Sequence, residues 1–379
     1  VILLAISRKA GKSACIMRKA RWLAQWRHSQ DRPVFYHCIS RVVDRRFVLG
    51  AGQKEKFRTL MRMYEKFSGC RVTAYCLMDN HFHLLLEVPP MAQGGLSDDQ
   101  LLQRLSAIYG TAFVAGVARE LAEARQHVAD GRAEEELVRR IHQRFTYRMH
   151  DLGEFMKGLL QRYTQWHNRS HARRGRLWED RFKSVIVEDG VAARAMAAYI
   201  DLNPVRAGMA SDPADYRWSS YGEAIGGGAK GHGRTARAGL VRAWGAHAGM
   251  PADASLWAGQ VARAYRLMLM GRTRPSASSA DSSAASSLPS AATTRAGAGE
   301  IPYAMVLRCR VRYFTDGAVI GSRGFVDEAF AHARERFGGR RRSGARKLRG
   351  GGAPMAAAIW SLRDLRKGIE ARTAGGLVG

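Results

Sequence analysis

Residues 74–89, Ala-Tyr-Cys-Leu-Met-Asp-Asn-His-Phe-His-Leu-Leu-Leu-Glu-Val-Pro, constrain this chain more than any other stretch. The run is rich in strand-forming residues, is interrupted only by Asp79-Asn80 and ends on a proline, so it reads as two strands joined by a tight turn. Successive side chains on a strand alternate faces. Phe82, Leu84, Leu86 and Val88 therefore point one way, and His81, His83, Leu85 and Glu87 the other. One face of a sheet thus carries two adjacent imidazoles, each able to give a lone pair to a metal. With 12 His in 379 residues, such a pair also arises by chance. Two half-exposed strand histidines are the plain alternative.

The neighbouring sequence supplies the rest of a sheet. Residues 33–41 alternate and are rich in β-formers, which predicts a first strand. Residues 53–68 place Phe57, Leu60, Met61, Tyr64 and Phe67 at helical spacing, and Gly69 marks the end of that helix. The order strand, helix, strand, tight turn, strand predicts an α+β fold with an antiparallel sheet flanked by helices, not a doubly wound parallel sheet.

Further along, Ser97 with Asp98 and Asp99 opens a helical stretch, as an N-cap should. Interrupted helical periodicity over 91–150 predicts a helical insertion, with Glu134, Glu135 and Glu136 on a solvated face. Another amphipathic helix covers 152–168. It leads into a basic segment interleaved with aromatics, in which Arg173, Arg174, Arg176, Arg181 and Lys183 are suited to phosphates and Trp178 or Phe182 to stacking on a base. In the competing reading the two aromatics are core. A short strand at 185–188 precedes a helix over 192–203 that ends at Pro204, and on it Tyr199 and Asn203 share a face. A residue before proline is pushed out of the α region, which sets Asn203 at the edge of the last turn.

The expected organisation is an N-terminal extension over 1–31, a principal domain over 32–230 containing the insertion, and a helical extension over 231–272. A Ser/Ala/Thr-rich linker over 273–299 then leads to a separate basic region over 300–379. In that last region 306–314 reads as a strand, 325–337 as a helix and 356–369 as another helix. Arg340, Arg341, Arg342, Arg346 and Lys347 form a candidate phosphate-contacting arm.

The formal net charge is +28, and the basic residues recur along the whole chain. A polyanion is the expected partner. Nucleic acid suits this better than a membrane, because no apolar run approaches the length of a spanning helix. A coding bias toward Arg and Ala is the bland explanation. Five scattered cysteines, Cys15, Cys38, Cys70, Cys76 and Cys309, contain no CxxC pair and predict reduced thiols in a cytoplasmic protein. Gly11-Lys12-Ser13 lacks the earlier glycine of a phosphate loop, since position 6 is Ile.

Three blocks in this order, Asn80-His-Phe-His-Leu-Leu-Leu-Glu, Gly175-Arg-Leu-Trp-Glu-Asp-Arg-Phe-Lys-Ser and Tyr199-Ile-Asp-Leu-Asn-Pro-Val-Arg-Ala-Gly, resemble the HUH single-tyrosine transposases of the REP-associated branch. The likeness spans residues 32–221. It implies that His81 and His83 bind a divalent metal, that Tyr199 is the nucleophile, and that Asn203 completes the metal site. It also implies single-stranded or hairpin-repeat DNA as partner, with Arg206 among the DNA-contacting cations. The long insertion over 91–150 and the extra C-terminal region depart from the family pattern, and whether two copies form a homodimer is left open.

Two imidazoles and an amide oxygen leave coordination positions free and bring no protein charge to repel DNA, a set suited to Mg2+ or Mn2+. A phenol, with an ordinary pKa of about 10, needs activation before it attacks a phosphodiester. Tyr163, also on a helix, has apolar helical neighbours and reads as core. His37 reads as a satisfied strand histidine in preference to a fourth ligand. Glu87, beyond His83 on the same face, is a candidate for orienting an imidazole. Two other functions compete: a domesticated repeat-binding protein that keeps the fold without chemistry, and an RNA-binding protein, which gives the tyrosine no purpose.

Overall fold

The computed structural model describes residues 21–228, 230–245, 253–258, 260–271, 307–347, 359–363 and 369–370. The Gly11-Lys12-Ser13 segment and the 273–299 linker fall outside them. The predicted strand–helix–strand–strand order is present as β1 (Val34–Arg41), α1 (Ala51–Ser68), β2 (Arg71–Leu77) and β3 (His81–Val88). Gly69 closes α1 in the left-handed conformation, at φ 73°, where a side chain would be strained. The Asp79-Asn80 turn folds β3 back onto β2, and β1 lies antiparallel on the other side of β3.

Alternation decides what each face of this sheet meets. Tyr36, Cys38, Leu84 and Leu86 join one apolar cluster with α1 and α5 (Leu152–Ser170). Phe35, Ala74, Cys76 and Leu85 join a second cluster on the opposite face, which is covered by α6 (Val191–Asp201) and α9 (His232–Trp244). The insertion forms α2 (Asp98–Ser106), α3 (Thr111–Ala129) and α4 (Glu136–Thr146), starts at Ser97 with a full capping box, and buries an apolar cluster of its own.

β4 (Lys183–Val187) pairs antiparallel with β1, and here the sheet departs from expectation. The region beyond the linker does not stand apart. Its strand β6 (Val319–Gly321) pairs parallel with β4 and is followed by β8 (Trp360–Ser361) and β7 (Arg346–Lys347), giving the order β2-β3-β1-β4-β6-β8-β7. The edge of β4 offers unpaired backbone groups, and β6 takes them. Within 306–314 the described residues hold only the two-residue strand β5 (Arg310–Val311), after which the chain turns into the helix Arg312–Asp316. Strand Trp360–Ser361 likewise replaces helix in the middle of 356–369, most of which lies outside the described residues. The helix expected over 325–337 runs Arg323–His332 and ends in a 3-10 turn, Arg334–Arg336.

Among the described residues no helix is long and apolar enough to cross a membrane, and Cys38, Cys70 and Cys76 are free thiols.

Candidate functional site

His81 and His83 lie on the face that α6 covers. The register places Ile39 opposite His83 and His37 opposite Leu85, so His37 and His83 are diagonal neighbours on one face, within reach of each other's rings. Their nitrogens meet: His37 Nε2 is 2.9 Å from His83 Nδ1, and His37 Nδ1 is 2.7 Å from the Phe314 carbonyl oxygen. Two residues before His83 on the same face, His81 Nδ1 is 2.6 Å from Asn80 Oδ1. The Asn80 amide is oriented by its own Nδ2, which donates to the Arg45 carbonyl at 3.1 Å.

All three imidazoles are held neutral. Burial pushes His37 and His81 down to about 4, with Arg206 adding to the effect in both and Arg41 in His81. His83 is pushed well down, first by burial and then by His37 and His81. Among the described residues neither His81 Nε2 nor His83 Nε2 has a hydrogen-bond partner. His37 thus takes up the far side of His83, with both of its own nitrogens engaged, as the satisfied strand histidine of the sequence reading would be.

The helix carrying the tyrosine packs across β2 and β3. It breaks at Leu202, and Pro204 sits in the first turn of the next short helix, α7 (Asn203–Arg206), as its missing N–H allows. Asn203 Nδ2 donates to the Ile200 carbonyl at 3.0 Å, which leaves Oδ1 without a partner among the described residues. Tyr199 is only 2 % exposed. Phe314 meets its ring edge-on at a centroid distance of 5.0 Å, and the Arg206 guanidinium lies over the ring at 3.7 Å. Arg206 donates to the Tyr199 and Leu307 carbonyls. Arg206 is half-buried, its guanidinium engaged by the tyrosine helix and by the Leu307 carbonyl.

Phe314 therefore touches both halves of the site, its ring on Tyr199 and its carbonyl on His37, 277 residues away in sequence. Nothing in the sequence marked it, because 306–314 has the composition of a strand. Arg206 was legible as a cation but not as a lid over the tyrosine ring.

Other expected site residues fall differently. Trp178 is 9 % exposed and packs against Phe57, Phe82 and Tyr163, so it belongs to the core and offers no stacking face. Phe182 is buried too, beneath Arg21. Arg174, Arg176, Arg181 and Lys183 are exposed, Arg173 is half-buried, and Lys183 pairs with Asp316 at 3.4 Å. In the C-terminal arm Arg340, Arg342 and Lys347 are exposed. Arg341 turns inward to the Gly344 and Leu362 carbonyls, and Arg346 bonds to Ser343. Glu87 binds Arg242 and Arg71, not a histidine. Tyr163 is core, with its hydroxyl donating to the Gln53 carbonyl.

Residues 32–94 match the family model described as Transposase IS200 like. The matched segment holds β1, α1, β2 and β3, and with them His37, His81 and His83; Tyr199 and Asn203 lie outside it. A solved structure described as "Structure of the REP associates tyrosine transposase bound to a REP hairpin" is similar at 11 % identity with a TM-score of 0.34, over 56 % of this chain and 87 % of that one. A likeness that low bears on neither fold nor activity here. No curated protein matches the chain.

The donor chemistry fits a divalent metal. Two neutral imidazoles present Nε2 atoms without hydrogen-bond partners on one sheet face, and an amide oxygen without a partner, Asn203 Oδ1, lies just past the end of the helix packed across β2 and β3. Among the described residues no group of three His, Cys, Asp or Glu side chains is arranged to hold a metal ion, and the candidate for a third protein ligand is a neutral oxygen, Asn203 Oδ1.

Proposed function

We propose that this chain is a transposase of the IS200-like, REP-associated type that nicks and rejoins single-stranded DNA at hairpin repeats through Tyr199. The observation that carries the reading is the pair His81 and His83. They lie in the family-matched strand, have free Nε2 atoms, and share a sheet face with the helix that bears Tyr199. A divalent ion such as Mg2+ or Mn2+, held by His81, His83 and Asn203, would withdraw charge from the non-bridging oxygens of the scissile phosphate. The chain's own residues do the rest. Tyr199 Oη gives up its proton and attacks phosphorus; the P–O3′ bond breaks, and the 3′ oxygen leaves and takes up a proton. The 5′-phosphotyrosine keeps the bond energy, so a 3′ hydroxyl can attack it and restore the strand. Arg206, over the ring, places a positive charge beside the developing phenolate. The exposed cations at 174, 176, 181 and 183 and at 340, 342 and 347 supply phosphate contacts that position DNA without reading its sequence.

The enclosure of Tyr199 favours a second reading, a repeat-binding protein without chemistry. For cleavage, helix Arg312–Asp316 has to move its Phe314 away from the ring. One experiment separates the two: denaturing electrophoresis of the protein with 5′- and 3′-labelled single-stranded hairpin DNA in Mn2+, with and without chelator. The expected result is a covalent adduct to the strand on the 5′-phosphate side, lost in chelator and in Tyr199→Phe, which keeps the ring and its packing. An adduct that survives Tyr199→Phe rules out the assigned nucleophile. Tight hairpin binding with no adduct in the wild type establishes the binding-only reading.

A further inference from the structure

The hydrogen bonds around His83 determine where its proton sits. A carbonyl oxygen only accepts, so His37 Nδ1, 2.7 Å from the Phe314 oxygen, carries a hydrogen. His37 is wholly buried and has no carboxylate partner among the described residues, so its ring is neutral and its Nε2 holds a lone pair. The atom facing that lone pair at 2.9 Å is His83 Nδ1, which must therefore be the donor. His83 is left with its proton on Nδ1 and its lone pair on Nε2. The Asn80 carboxamide imposes the same state on His81 at shorter range.

We infer that His37 is a positioning residue: through it the Phe314 carbonyl fixes His83 as the Nδ1–H tautomer and presents the Nε2 lone pair to a divalent cation. The inference deepens the metal-dependent reading above and rests on it. It also gives the region beyond the linker a part in the site, since the oxygen that starts the chain of hydrogen bonds belongs to helix Arg312–Asp316. An imidazole without such a partner divides its proton between the two nitrogens, and the wrong tautomer must be lost before a metal can bind.

The test uses full-length protein labelled with 15N at histidine, free of metal at neutral pH, and long-range proton–nitrogen correlation spectra. The expected wild-type pattern is a protonated Nδ1 and a bare Nε2 in His37, His81 and His83. Adding Mn2+ should broaden the His81 and His83 signals first. In His37→Phe, His83 should show both tautomers, with Mn2+ affinity about 10–100-fold weaker by calorimetry. His37→Gln supplies an amide oxygen as acceptor and should restore most of both. A wild-type His83 protonated on Nε2, or an unchanged His83 tautomer in His37→Phe, overturns the relay. If His37→Phe does not fold, the wild-type spectrum and His37→Gln still decide. The expected tautomers with no response of His81 and His83 to Mn2+ overturn the metal reading instead.

Discussion

Arg242 shows how far a single residue could be read from the sequence. It is 0 % exposed, its Nε donates to Glu87 at 3.0 Å, and its two Nη atoms reach the Asp189 carboxylate at 3.1 and 2.8 Å. Strand parity placed Glu87 on the correct face but gave the wrong partner, because the partner arrives on α9 from 155 residues away. His81 and His83 were legible for the opposite reason, since their proximity is set by spacing within a single strand. Removing one member of a buried ion pair leaves the other charge unpaired in a medium that solvates it poorly. Arg242→Met, close in length but without the charge, leaves Glu87 with the exposed Arg71 alone and is expected to lower stability by about 3 kcal/mol in urea unfolding, the low end for a broken buried pair. Adding Glu87→Gln should recover part of the loss, because fewer unpaired groups stay buried. A single-variant loss indistinguishable from a surface substitution would show that water reaches Glu87.

Whole elements were legible where periodicity ran long enough to be counted. The helices of the insertion, the break before Pro204 and the hairpin at Asp79-Asn80 all follow from local pattern, whereas strands of two or three residues such as β5, β6 and β8 are too short to alternate. The joint between the insertion and the sheet turns on His150, in the left-handed region at φ 51°. Its Nδ1 donates to the Pro89 carbonyl at 2.9 Å and its Nε2 accepts from Arg104 at 3.0 Å, an arrangement only a neutral ring can make. Burial first, and Arg104 and Arg71 after it, lower the His150 pKa below its ordinary value despite the opposing hydrogen bond to Pro89. The unfolded chain therefore binds this proton more readily than the folded one. The joint contributes its stability above the ordinary histidine range and loses it as pH falls through that range. His150→Asn tolerates the same backbone conformation and does not titrate. Its thermal midpoint should fall less than the wild type's between about pH 7.5 and pH 5.5. Equal falls in the two proteins would place the acid sensitivity elsewhere, among the other buried histidines.

At the scale of the whole molecule, the expected division at the linker gave way to one continuous sheet, and that changes what the region beyond it does. A basic arm tethered by a linker would add affinity and nothing else. Instead β6 pairs with β4, the Leu307 carbonyl accepts from Arg206, and Phe314 closes over Tyr199. Removing everything after residue 272 would expose the β4 edge, uncover the tyrosine and take away the carbonyl on His37 together, so truncation cannot tell these effects apart. Phe314→Ala can, because it deletes the ring that covers Tyr199 and keeps the backbone oxygen that holds His37. In the proposed reaction, a phenol in a residue 2 % exposed, with Phe314 against its ring edge and Arg206 over its face, cannot reach a phosphodiester until that cover moves. The covered and uncovered states thus stand in an equilibrium ahead of chemistry, and the apparent rate scales with the uncovered fraction. Removing the ring raises that fraction. Adduct formation by Phe314→Ala on a short single-stranded substrate should therefore be faster than wild type, by about tenfold if the ring's cover is worth about 1.4 kcal/mol. The dissociation constant for the hairpin, set by the exposed cations, should stay the same. A slower adduct with unchanged binding would show that Phe314 holds Tyr199 in its attacking position and does not act as a cover.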